Sequence, residues 1–196
     1  MKALIIIDMQ HDFLEKGRLY VPAGETIIPA INRIQTDYDL VVATQDWHPA
    51  HHKSFASQHA GKKIYDVIDL NGLPQVLWPD HCVQGEEGAK LDDRIVWNRV
   101  EAIFRKGMDI EIDSYSCFFD NGKRKNTGLD AYLRGRSVDE VHLCGLAADY
   151  CVYYSAEDAL TLGYQTLVLK DATQAINQDE YSIKQEILRE RGVQFL

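Results

Sequence analysis

No apolar run in the sequence is long enough to cross a bilayer. The N-terminal stretch Ala3 to Ile7 is stopped by Asp8, whereas a spanning helix needs roughly 20 such residues and a secretory signal core is also longer. Positive charge is in deficit too: 21 Lys and Arg stand against 30 Asp and Glu, for a formal net charge of −9. An acidic surface repels phosphate backbones, so a nucleic-acid partner is not expected. The one tight basic cluster, Lys123-Arg124-Lys125, sits among Asn121, Gly122, Asn126 and Gly128 and reads as a solvated loop. Cysteine is scarce. Cys82, Cys117, Cys144 and Cys151 are widely spaced, with no CxxC pair. That pattern fits buried thiols, one catalytic thiol, or both, in a reducing compartment rather than a disulfide framework. The expectation is a cytoplasmic protein without membrane or nucleic-acid partners. Repeats and low-complexity linkers are missing as well.

What is present is ordinary globular composition, 45% hydrophobic and 26% charged over 196 residues. This is the size of a single domain, taken here as residues 1–196. Short apolar runs alternate with helical periodicity, which predicts an α/β fold with a largely parallel sheet. Ala3–Ile7, Leu40–Ala43, Ala102–Phe104, Val141–Leu143 and Thr166–Leu169 read as strands. Ile27, Ile28, Ile31 and Ile34 recur at helical spacing, and Glu180–Arg191 reads as the last helix. Between the fourth and fifth strands, Asp149 is the expected N-cap and Gly163 the expected C′ residue of a helix. Its apolar face would be Val152, Ala156, Ala159 and Leu160. Residues 47–97 break the rhythm with a long stretch rich in His, Pro, Gly and Trp. Such long irregular segments within a domain are usually functional.

Ligands of open α/β sheets bind beyond the carboxyl ends of the strands. That rule selects Asp8, Asp46 with His48, Lys106, and the turn from Gly145 to Cys151. Cys151 falls near a helix start, where unpaired amides favour a thiolate and could hold a developing oxyanion. Asp8 could move protons, and Lys106 would favour the thiolate. Asp46-Trp47-His48 puts a carboxylate and an imidazole on one side of an extended segment. With His81 in Trp78-Pro79-Asp80-His81-Cys82, they make a donor set suited to a divalent metal such as zinc, iron or manganese. His52 offers a further donor and His51 a weaker one. Cys82 is set aside, because adjacent side chains diverge in extended backbone, and His142 reads as a satisfied sheet histidine. Taken singly, each of these residues has a plainer reading, as a core thiol, a solvated lysine or a loop histidine.

Together they carry a resemblance. Asp8-Met9-Gln10-His11-Asp12-Phe13, Thr44-Gln45-Asp46-Trp47-His48-Pro49, Trp78-Pro79-Asp80-His81-Cys82, Arg105-Lys106-Gly107, Asp113-Ser114-Tyr115-Ser116 and Gly145 through Val152 span almost the whole chain. With them the sequence resembles the nicotinamidase branch of the isochorismatase-like cysteine hydrolase superfamily. The resemblance implies a doubly wound α/β/α domain with a six-stranded parallel sheet. It implies Asp8, Lys106 and Cys151 as catalytic triad, Ala147 and Cys151 amides as oxyanion hole, and a cis peptide between Leu146 and Ala147. It places one divalent metal ion, zinc foremost with iron or manganese as alternatives, on Asp46, His48 and His81. Phe13, Trp78 and Tyr115 match the aromatic positions around the substrate ring. Two residues depart from the family pattern: His11 where Asn is usual, and Ala148 where Thr is common. The expected reaction is hydrolysis of nicotinamide, and of pyrazinamide, through a thioester. A sister amidase acting on another small amide, or a non-catalytic ligand-binding module, would use the same fold. A homo-oligomer is left open.

Overall fold

A computed structural model describes residues 1–196. In chain order the elements are β1 (Lys2–Ile7), α1 (Ile28–Ile34), β2 (Leu40–Asp46), β3 (Val67–Leu70), β4 (Leu73–Val76), β5 (Val100–Lys106) and α2 (Leu129–Gly135). They continue with β6 (Glu140–Gly145), α3 (Tyr153–Thr161), β7 (Gln165–Thr173), α4 (Gln178–Glu190) and β8 (Gln194–Phe195). Six strands form one parallel sheet in the order β5-β2-β1-β6-β7-β8.

The central strand is apolar at every position from Ala3 to Ile7 because both of its faces are covered. Ala3, Ile5 and Ile7 enter one core with residues of α2, α3 and α4. Leu4 and Ile6 enter the opposite core with Ile28 and Ile31 of α1. Alternate side chains of one strand thus serve two layers, and the three-layer α/β/α expectation is met. Strand order reverses across β1, whose neighbours are β2 and β6. The carboxyl ends of these strands therefore border the crevice where such sheets bind ligands.

Several boundaries differ from the sequence reading. β5 runs to Lys106, so this lysine is a strand residue whose Cα pairs in register with Asp46 of β2. The sixth strand, β8, is only two residues long, too short to leave a periodicity. β3 and β4 form an antiparallel hairpin inside the irregular stretch, closed by Asn71-Gly72 with both residues at positive φ. That dipeptide is a strong hairpin signal that the weak surrounding periodicity masked. Asp149 does not cap α3. It lies within a π-helical turn, Ala148–Val152, and its carboxylate instead accepts the amides of Ile176 (3.0 Å) and Asn177 (2.9 Å). The other end of α3 is as expected: Gly163 adopts φ +90°, with Gly163 N–H to Leu160 O and Tyr164 N–H to Ala159 O. This is the Schellman pattern. The last helix begins two residues earlier than expected, where Asn177 caps the amides of Asp179 and Glu180.

Candidate active site

Four buried side chains converge at the strand ends. Lys106 Nζ lies 2.8 Å from Asp8 Oδ2, 2.5 Å from Asp46 Oδ1, 3.1 Å from Ser114 O and 3.3 Å from Cys151 Sγ. Asp8 follows β1 directly and is fully buried. Thr44 Oγ1 donates to its Oδ1 at 2.6 Å, while Oδ2 has no hydrogen-bond partner apart from the ionic contact with Lys106. An acceptor is therefore free to take a proton. Burial raises the Asp8 carboxyl above the usual carboxylate range, against the pull of Lys106, which makes it a stronger base than a solvated aspartate. Burial opposes the charge of Lys106, but Asp46 and Asp8 drive its pKa well up, and it stays an ammonium.

Cys151 sits one turn before α3, in the π-helical turn that leaves β6. Gly145 makes that exit feasible: its φ is +107°, and a Cβ there would meet Ile7 O at 2.1 Å. The peptide between Leu146 and Ala147 is cis, as the resemblance implies. The expectation of a depressed thiol pKa is not met. Burial pushes the Cys151 thiol well up, Asp8 and Asp46 add to the effect, and Lys106 opposes it. The resting group is a thiol, and the Asp8 carboxylate, within 4.8 Å of its sulfur, is placed to take its proton.

Asp46, His48 and His81 face one another. His48 Nε2 is 3.5 Å and His81 Nε2 4.0 Å from Asp46 Oδ2, and all three side chains are buried. Burial opposes ionisation of Asp46, yet Lys106, His48 and His81 together carry its pKa below the usual range. Each histidine is fixed through its other nitrogen. His48 Nδ1 donates to Gly107 O at 2.9 Å and His81 Nδ1 to Pro79 O at 2.8 Å, so both Nε2 atoms present lone pairs. Gly107 must be glycine, because at φ +66° a Cβ would lie 2.3 Å from the His48 ring. The buried Nε2 of His48 has no partner within the protein. An orphaned imidazole nitrogen beside a carboxylate and a second such nitrogen fits a divalent metal.

His52 is close, with its ring 4.6 Å from that of His48, and it forms an alternative donor group with His48 and Asp113. Its Nδ1, however, accepts the Ser54 amide at 3.2 Å and lies 2.7 Å from Ser54 Oγ. Its Nε2 is buried without a partner as well, but a backbone amide can only donate, so the proton of neutral His52 belongs on Nε2 and no lone pair is offered there. His51 is exposed, Cys82 belongs to no donor group, and His142 is satisfied by Tyr38 Oη and Glu140. His11 pairs with Glu87, while Ala148 is fully buried beside Ala175 and Tyr181. Neither departure touches Asp8, Lys106 or Cys151.

A cavity of about 330 Å³, its mouth included, joins these groups. Phe13, Trp78, Tyr115, Asp46, His48, His81, Ala147 and Cys151 all line it, as the motifs required. Sequence reasoning missed Leu19, Asp113, Tyr150 and Ile176 in the same wall. Tyr150 and Asp113 lay within quoted motifs without a role. Leu19 and Ile176 carry no local signal, since only the folded loops bring them there.

Comparison with known proteins agrees with this geometry. The isochorismatase domain family matches residues 2–196. A nicotinamidase of Escherichia coli is 47% identical over 180 residues, covering 90% of this chain and 84% of the relative. Among solved structures, an Acinetobacter baumanii nicotinamidase/pyrazinamidase superposes with a TM-score of 0.97 at 39% identity, covering 100% of this chain and 95% of its own. A pyrazinamidase of Pyrococcus horikoshii, solved in complex with zinc, gives 0.81 at 33% identity, with 100% and 98% covered. The chain belongs to the isochorismatase family, in the part of it that holds the nicotinamidases.

Proposed function

We propose that this protein hydrolyses nicotinamide to nicotinate and ammonia, accepts pyrazinamide as well, and does so through a Cys151 thioester. The observation that carries the reading is the single cavity shared by Cys151, the Asp46–His48–His81 donor set and the aromatic trio. The E. coli relative, a nicotinamidase, supports the choice of substrate.

Asp8 takes the Cys151 proton as Sγ bonds to the carboxamide carbon. The amides of Ala147 and Cys151 receive the charge that moves onto the carboxamide oxygen, since Ala147 lines the cavity and its N–H reaches no backbone carbonyl. Lys106, 3.3 Å from the sulfur, stabilises negative charge there. Asp8 then gives its proton to the departing nitrogen, the C–N bond breaks and ammonia leaves. Water attacks the thioester carbon, Asp8 accepts a proton from it, and Sγ leaves and recovers its proton with release of nicotinate. Phe13, Trp78 and Tyr115 hold the pyridine ring. Asp46, His48 and His81 would hold the metal, zinc by the chemistry of the donors. When bound, such an ion supplies a Lewis acid for the ring nitrogen.

The test is ammonia release from nicotinamide, pyrazinamide and benzamide, with and without chelator. Turnover of the first two, lost on chelation, is expected. Benzamide lacks the ring nitrogen, and losing such a contact can cost several orders of magnitude in specificity. A benzamide rate within about tenfold of nicotinamide would remove the positioning role assigned to the metal.

A further inference from the structure

Gln75 is a buried polar side chain that takes no part in the chemistry above, being 3% exposed on β4 of the hairpin. Its Nε2 lies 2.7 Å from Val76 O, 3.0 Å from Tyr115 Oη and 3.2 Å from Asp113 Oδ2. Val76 O and the Asp113 carboxylate are pure acceptors, so the nitrogen, and not the amide oxygen, must face this cluster. Tyr115 Oη also accepts from Trp78 Nε1 at 3.2 Å. One carboxamide therefore ties a phenol, and through it an indole, to the hairpin. Both rings line the reaction cavity.

Tyr115 has reason to need an anchor. Its other side lines an outer cleft of about 870 Å³ of open space, where it stacks on Tyr154 with centroids 5.3 Å apart. The ring packs against Trp78, Tyr150 and Tyr154 but is bordered by open space, so its hydroxyl contacts fix where it sits within that packing. Among the charged residues of that cleft, Lys123 pairs with Asp158, Arg191 pairs with Glu157, and the Asp120 carboxylate accepts the amides of Gly122, Arg124 and Lys125, so nothing there calls for a ligand of its own.

We infer that Gln75 is a positioning residue for substrate binding, fixing Tyr115 and Trp78 as walls for the ring of the amide. The inference rests on the amide-hydrolase reading above. Gln75 reaches no reacting atom, so its loss weakens the grip on the ring more than it slows bond breaking. That difference shows as a rise in KM with kcat kept.

The experiment compares metal-loaded wild type, Gln75→Met, Tyr115→Phe and the double variant on nicotinamide. Each single variant should raise KM about tenfold with kcat within about threefold. The double variant should be no worse than about tenfold, because both changes cut the same link. Metal content should match wild type throughout, which excludes an effect passed through Asp113 to His48. Unchanged KM in Gln75→Met, a fall in kcat alone, lost metal, or KM effects that multiply in the double variant would each overturn the inference. If Gln75→Met is recovered unfolded, Gln75→Asn decides instead, since its amide ends one methylene short of Tyr115 and an unchanged KM would refute the role. Should wild type turn over a different amide, the substrate assignment fails separately, and the same comparison is run on that amide.

Discussion

Lys106 and Asp46 occupy paired positions on neighbouring strands, and their side chains meet at 2.5 Å. Because the same ammonium touches Asp8 and Cys151, this contact joins the surroundings of the Cys151 thiol to the Asp46–His48–His81 donor group. One ammonium faces two buried carboxylates, Asp46 being also neighboured by His48 and His81. Such a group is hard to remove, since its loss leaves like charges buried together.

Lys106→Met, which keeps much of the side-chain volume, should therefore abolish turnover and destabilise the fold by about 3–5 kcal/mol. Adding Asp8→Asn to that variant should return part of the stability and none of the activity. Urea unfolding read beside ammonia release checks both. Full stability in Lys106→Met would show that the two carboxylates do not depend on this ammonium.

Cys151→Ala should end turnover while leaving fold and metal content intact. Burial raises the pKa of all four cysteines, so burial does not set Cys151 apart. Contact with Lys106 does. Replacing Cys82, Cys117 or Cys144 with Ala should leave kcat near wild type at a stability cost of about 1 kcal/mol each. Turnover surviving in Cys151→Ala would refute the mechanism.

Most of this site is legible before folding, for a physical reason. Asp46 and Lys106 end parallel strands and Asp8 directly follows one, and parallel strands deliver their ends to one edge whatever the loops do. The strands themselves are legible because Ala3–Ile7 and Leu40–Ala43 are apolar without alternation, as burial on both faces demands. Asp149 shows the limit. An aspartate after a glycine-containing turn looks like a cap, but two amides of a loop 27 and 28 residues away in sequence claim its carboxylate. The thiol pKa fails for a related reason: a helix start argues for a thiolate, while burial and two nearby carboxylates decide otherwise. Long-range partners outweigh local pattern in both cases, and Gln75 and Leu19 could not be read at all because their partners come from distant loops.

The proposed donors His48 and His81 differ from His52 in tautomer. Elemental analysis should find about one divalent ion per chain, as one Asp/His site allows. His48→Ala and His81→Ala should each lose most of it. His52→Gln should retain it, because Nδ1 of His52 is committed to the Ser54 amide and Nε2 carries the proton. Loss of the ion in His52→Gln to the same degree as in His48→Ala would move His52 into the ligand set.

Acid should expose the same histidines in metal-free protein. Burial, followed by the neighbouring charge of His48, lowers the pKa of His52 and of His81 to about 4. The ordinary histidine value is about 6.5. Between these limits the unfolded chain binds more protons than the folded one, so stability rises with pH. Their contribution is complete above the unfolded value and is lost as pH falls through the folded one. His48 acts with the opposite sign, since Asp46 raises its pKa against the effect of burial. Its contribution is complete below the unfolded value and fades above it, so it adds no slope within the acid window. Asp8 acts with the opposite sign as well, since burial raises its carboxyl and the folded state is favoured as it takes up a proton. A comparison between variants cancels the contributions the two proteins share, while Asp113, which His52 helps to lower, changes in the same direction as the loss of His52 itself. Urea midpoints of chelator-treated wild type should fall from pH 6.5 to 4, and His52→Gln, with one fewer suppressed proton site, should fall less steeply. Equal slopes for the two proteins would mean that His52 is as readily protonated in the folded state as in water, and the buried, neutral imidazole described here would be wrong.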